Sequence, residues 1–139
     1  MAYNPYNRYA QQSVMTMTHG EMLTKLYEGL LKNIHIAINA IESKDYQTSN
    51  NALKKAQKII LYLLTTLDRK YPISSNLASL YDFFNYQIIE ANIRKDVKPL
   101  NDIIPMISDL RDTFIECDRR ARAESHQQAA LSHGMAVSG

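Results

Sequence analysis

The chain has 139 residues, a length that fits one domain and can bury a core without disulfides or metals. Hydrophobic residues make up 45% and charged residues 22%, an ordinary globular balance that argues against a disordered or fibrous chain. The net charge of +2 gives no support for nucleic acid as a partner, since the one basic cluster, "RRAR" at 119–122, reads as a solvated helix end. A single cysteine, Cys117, allows no internal disulfide, so a reducing compartment is expected. The N-terminal "MAYNPYNRYAQQ" lacks the apolar centre of a secretory signal, and no apolar run is long enough for membrane insertion. These features together predict a soluble cytoplasmic protein.

Residues 1–17 read as an arm. Pro5 and two Asn disfavour a helix there, yet Tyr3, Tyr6, Tyr9, Val14, Met15 and Met17 carry considerable apolar surface. The arm is therefore expected to fold back on the body or to meet a partner. The first helix is predicted from Thr18, with Glu21 three residues on to complete a capping box, and ends near Glu42. Leu23, Leu26, Tyr27, Leu30, Ile34, Ala37 and Ile41 recur at spacings of three and four and form its buried stripe. Gly29 lies inside this helix, which fits either a close helix approach or simple tolerance. "SKD" at 43–45 is a short turn in which Asp45 or Ser43 caps the next helix.

The second helix is predicted from about Tyr46 to Asp68, with Leu53, Ala56, Ile60, Leu63, Leu64 and Leu67 inward. Pro72 breaks the pattern, and Ser74 or Ser75 is expected to cap a third helix that runs to about Arg94. Asp96 suits a fourth cap, with Pro99 in the first turn where its missing donor does little harm. The fourth stripe runs from Leu100 through Ile103, Ile107, Leu110 and Phe114 to Cys117, which reads as a small buried core residue. Pro105 removes one backbone hydrogen bond and is expected to kink that helix near its start. From about Glu124 the sequence turns small and polar, and residues 124–139 are expected to form a flexible, disordered tail. With no period-two alternation anywhere, the prediction is all-α: an antiparallel up-down four-helix bundle over 18–123.

Two stretches, "LTKLYEG" from Leu23 and "LASLYDF" from Leu77, share L-x-x-L-Y-[acid] at the same spacing. In each, both leucines and the tyrosine fall on one helix face and the acid turns to water. Two core layers that place a tyrosine ring inside and its hydroxyl near a polar edge explain the recurrence. The flanks do not match, so a duplication has little support, and no base or cofactor site accompanies the tyrosines.

The third helix is apolar on two faces. Leu77, Leu80, Tyr81, Phe84, Ile88 and Ala91 form one stripe. Phe83, Tyr86, Ile89 and Ile93 form a second, centred roughly 180° away. Leu61 and Tyr62 of the second helix add to it. Either the third helix is central or covered by the arm, or this face is a groove for a partner's amphipathic helix. Catalytic signatures are missing. No Glu precedes a His at i+3, no His/Cys set has zinc spacing, no glycine loop would cradle phosphate, and Cys117 lacks a base. No metal, no cofactor and no enzymatic activity are expected.

Five motifs in order resemble one family. They are "YAQQSV" with Tyr9, "LYEG" at 26–29, "LKKAQKII" at 53–60, "NLASLYDF" at 76–83 and "ANIRKD" at 91–96. The chain is similar across most of its length to the flagellar secretion chaperone FliS family, the flagellin export chaperones. It departs from the family pattern at Thr18-His19, where Ser-Pro is common, at "YPISS", where Gly-Glu is common, and at Phe114, where Trp is common. The resemblance implies a non-catalytic four-helix bundle that binds the C-terminal segment of flagellin in the cytoplasm. It further implies that the chaperone prevents early polymerisation and helps deliver flagellin to the export gate. It points to Tyr6 and Tyr9 for the arm's contact with that gate, and makes Leu26, Tyr27, Leu80 and Tyr81 family-motif positions, read here as core. The candidate client groove is Phe83, Tyr86, Ile89 and Ile93, with Leu61 and Tyr62. The alternative is a non-catalytic adaptor bundle that self-associates as a homodimer through the third helix.

Overall fold

The computed structural model describes residues 19–138, with side chains through Leu131. The arm, including Tyr6 and Tyr9, and the expected cap Thr18 lie outside the described residues. Four helices follow one another: α1 (His19–Glu42), α2 (Tyr46–Thr65), α3 (Ile73–Arg94) and α4 (Lys98–Ser138). Among the described residues there is no strand. Each helix packs on its neighbours in sequence, and α1 also packs on α4, which closes a four-membered ring.

The core is the set of stripes that the spacing predicts. Tyr27, Leu30 and Ile34 of α1 are fully buried, as are Leu53, Ile60 and Leu63 of α2. Tyr81, Phe84 and Ile88 of α3 and Leu100, Ile103 and Ile107 of α4 complete it. Each such side chain contributes about 1.5–3 kcal/mol relative to exposure. Gly29 needs no close helix approach, because a Cβ there would lie 3.5 Å from Ile59 Cδ1, an ordinary contact.

Local chemistry sets the turns. Asp45 caps α2: its carboxylate accepts from the Thr48 amide at 3.3 Å and from the Thr48 hydroxyl at 2.6 Å. These two bonds hold its carboxyl below the usual range. Ser43 belongs instead to the end of α1, where its hydroxyl donates to the Asn39 and Ala40 carbonyls. Lys44 takes a left-handed conformation at φ 60°, which lets the chain reverse in three residues. Asp96 accepts from the Lys98 amide at 3.0 Å as α4 opens.

Four details differ from the sequence expectations. Neither Ser74 nor Ser75 caps α3, which begins at Ile73 with Pro72 at its head. Ser74 is buried, and its hydroxyl donates to the Tyr71 carbonyl at 2.8 Å. The first amides of α3 are satisfied by backbone instead, Ser74 donating to the Tyr71 carbonyl at 3.1 Å and Ser75 to the Pro72 carbonyl at 3.3 Å, so no side-chain cap is needed. Cys117 is exposed: the core stripe of α4 stops at Phe114, and Cys117 lies on the rim of the open cleft at the end of the bundle. α2 ends at Thr65, short of Asp68. Finally, α4 continues to Ser138 where the change of composition had suggested a tail. Arg119 to Leu131 are all exposed, so helix propensity in this Ala-, Gln- and Arg-rich stretch, not burial, carries the extension.

The repeated motif resolves into one contact. Tyr27 and Tyr81 point at each other and share a buried hydroxyl–hydroxyl hydrogen bond. Their hydroxyls therefore do not sit at a polar edge; each supplies the partner that the other needs in the core. Phe114 stacks on Tyr27 with ring centroids 5.6 Å apart and 22° between planes. Burial raises the Tyr27 phenol far above its usual range, the Tyr81 bond adding to this, and burial also raises Tyr81. Tyr27→Phe or Tyr81→Phe alone strands a buried hydroxyl and is expected to destabilise the fold by about 1–3 kcal/mol. The double variant should lose no more than either single one. Urea unfolding of the four proteins checks this, and strictly additive losses would contradict the pairing.

Candidate docking surface

A folded bundle turns its large apolar side chains inward, so those that remain outside are informative. Leu61, Tyr62, Phe83, Tyr86, Ile89 and Ile93 all face solvent, from 37% exposed at Ile89 to 73% at Ile93. Leu26 and Leu80 are part-buried against the core, and Tyr27 and Tyr81 are inside it. The two faces of α3 are thus physically distinct. Phe83 and Phe84 show the division most closely: their ring centroids are 6.3 Å apart, yet Phe84 is fully buried and Phe83 is 42% exposed.

Polar contacts orient the outer face. The seam between α2 and α3 carries two amide rungs, Asn92 donating to Asn50 at 2.9 Å and Gln57 to Asn85 at 3.4 Å. On the other flank of α3, Gln87 donates to the Pro99 carbonyl of α4 at 3.5 Å. By the helical-wheel angle of about 100° per residue, Ile89 lies about 40° from Asn85, on the α2 side. Phe83 lies about 40° from Gln87, on the α4 side. Tyr86 and Ile93 occupy the crest between. On α2, Leu61 follows Gln57 by one turn and borders the seam, and Tyr62 points further outward. The structure thus brings Ile89 and Leu61 to one seam and sets Phe83 on the opposite flank.

The rungs were not singled out from sequence. The usable signal was an amide recurring at a seven-residue interval on each helix, Asn50 and Gln57 against Asn85 and Asn92. Their amides bridge the seam with side-chain hydrogen bonds where apolar stripes do not reach. The end of the bundle holds a second feature, an apolar cleft of about 610 Å³ lined by Leu23, Leu67, Tyr71, Ile73, Leu77 and Phe114. Tyr71 and Ile73 flank Pro72 and are each 61% exposed. Tyr71 lies in the turn before α3 and Ile73 is the first residue of α3, one turn before Leu77; a helix expected to start after Ser74 or Ser75 left both outside the predicted stripe. His19 and Cys117 lie on the same rim.

Among the described residues no cluster of three or more His, Cys, Asp or Glu side chains could hold a metal. No described helix is long and apolar enough to cross a membrane. Fold and surface define a helical bundle that presents apolar side chains on an outer helix face and at one end. The chain belongs to the FliS family: it matches the family described as "Flagellar protein FliS" over residues 2–121. The flagellar secretion chaperone FliS of Bacillus subtilis is 36% identical over 129 residues, covering 93% of this chain and 97% of that protein. The flagellar secretion chaperone FliS of Salmonella typhimurium is 27% identical, covering 80% and 84%. That of Escherichia coli is 26% identical, covering 76% and 80%.

Proposed function

We propose that this protein is a non-enzymatic cytosolic export chaperone that binds the disordered C-terminal segment of flagellin. It prevents premature polymerisation and helps deliver its client to the flagellar type III export gate. One observation carries the reading: a FliS-family chain keeps its core closed and still leaves Phe83, Tyr86, Ile89 and Ile93 in water along one helix face. A disordered client gains helix only when it buries its apolar side chains, and this face supplies such burial. The bundle is read as antiparallel and up-down. The rungs Asn50–Asn92 and Gln57–Asn85, in which one number rises as the other falls, support that reading for α2 and α3. The ion pair of Arg122 with Glu21 supports it for α1 and α4, together with the Phe114–Tyr27 stack.

The arm joins the bundle at His19, on the rim of the end cleft. Its Tyr6 and Tyr9 are assigned to regulation and to contact with the export gate. A stoichiometric amount of the chaperone should suppress polymerisation of its cognate flagellin, followed by light scattering, without added nucleotide or metal. Unchanged polymerisation at excess chaperone would contradict the function. A self-associating adaptor would instead form a dimer that shields Phe83 and Ile89 and ignores flagellin.

A further inference from the structure

The α2 side of the docking surface carries charge as well as apolar area. From Tyr46 to Thr65, α2 contains no Asp or Glu; its charged residues are Lys54, Lys55 and Lys58, all exposed. Among the described residues none of these three has a carboxylate within ion-pair distance. Some other cations of the bundle do find one, among them Lys25 with Glu28, Lys98 with Asp102, and Arg119 and Arg120 with Glu116, while among the described residues Lys32, Lys44, Arg69, Lys70 and Lys95 do not; what sets α2 apart is that its lysines stand on a helix without any acid, beside the apolar face. On α3 the nearby Glu90 is engaged by Arg94 at 3.0 Å.

Position makes this charge usable. The two amide rungs bracket Lys54 on α2 and Ile89 on α3. Lys58 follows Lys54 by four residues and so stands above it, and Leu61 continues the same flank one turn further. The seam is therefore bordered on α3 by Ile89, with Tyr86 on the crest beside it, and on α2 by the cationic edge of Lys54 and Lys58. We infer that the occupant of this seam is an amphipathic helix with carboxylates along the one edge that faces Lys54 and Lys58. This rests on the client reading above and deepens it: the apolar face supplies affinity, and the lysines choose the client's rotational setting and speed its arrival. Exposed charge pairs act mainly on association rate and orientation, and salt weakens them.

The test uses the full chain and two peptides. One spans the C-terminal segment of the cognate flagellin, and the other is the same peptide with every Asp and Glu replaced by Asn and Gln. Stopped-flow association is measured at low and high salt for the wild type, Lys54→Glu/Lys58→Glu and the milder Lys54→Gln/Lys58→Gln. Circular dichroism confirms that the variants remain folded. At low salt the wild type should take up the acidic peptide about tenfold faster than the amide peptide. Salt and the Lys→Gln pair should reduce that preference, and the Lys→Glu pair should remove it. Equal rates for both peptides, unaffected by either pair of substitutions, would overturn the charged edge and leave the chaperone function standing. Failure of the wild type to bind either peptide would overturn the function itself.

Discussion

Phe84→Ala is expected to destabilise the bundle by about 3–5 kcal/mol, whereas Phe83→Ala, one residue earlier, should change stability by about 1 kcal/mol or less. Phe84 is fully buried, and its ring packs 6.4 Å from that of Tyr81 at the centre of α3. Truncation removes apolar contacts and leaves a cavity among Tyr81, Ile88 and the facing helices, which a close-packed core cannot fully collapse. Phe83 is 42% exposed, so its truncation uncovers less apolar surface and leaves no enclosed cavity. Urea denaturation followed by far-ultraviolet circular dichroism measures both, and the midpoint should fall steeply only for Phe84→Ala, with little change in slope. Equal losses would mean that the outer face of α3 is part of the core and not free for a partner.

Binding should show the opposite order. Phe83→Asp and Ile89→Asp are each expected to weaken client binding by a factor of about 100 or more, with stability nearly unchanged. The physical cause is double. The apolar contact is lost, and the new carboxylate must be desolvated under the client without a partner. Because Phe83 faces the α4 flank and Ile89 the α2 seam, the two substitutions also locate the client. Loss at both, the expected result, means that the client spans the crest of α3 with one edge over the α2–α3 seam. Loss at Ile89 alone means that it is confined to that seam and does not reach the α4 flank. Phe84→Ala should weaken binding only through unfolding, so its effect should vanish where the variant is fully folded.

The stripes of α1 to α3 were legible because burial at spacings of three and four is the strongest signal that a helix carries. The Leu-x-x-Leu-Tyr recurrence was legible as packing, but not as a direct bond between Tyr27 and Tyr81. Two distant hydroxyls cannot be seen to meet until the helices are docked. That Phe83, Tyr86, Ile89 and Ile93 share a face opposite the core stripe needed only the helical angle, whereas whether that face is covered could not be read from periodicity. Cys117 misled because it continues the period of α4 onto the rim of the cleft at the bundle end, where it stays exposed. Periodicity records which face a residue lies on, not whether a neighbour remains to cover that face. The same limit hid the continuation of α4 past Arg119, where propensity acts without burial. Tyr71 sits in the turn before α3 and Ile73 at its first position, and only the closing of the bundle end brings them beside Leu23 and Phe114.

The central claim is that flagellin's C-terminal segment docks on the outer face of α3. Calorimetric titration of that peptide into the wild type, Phe83→Asp and Ile89→Asp, each first shown to be folded, tests it most directly. Saturable binding to the wild type that the substitutions abolish is the predicted result. Absence of binding to the wild type, or binding that both substitutions leave intact, would contradict it.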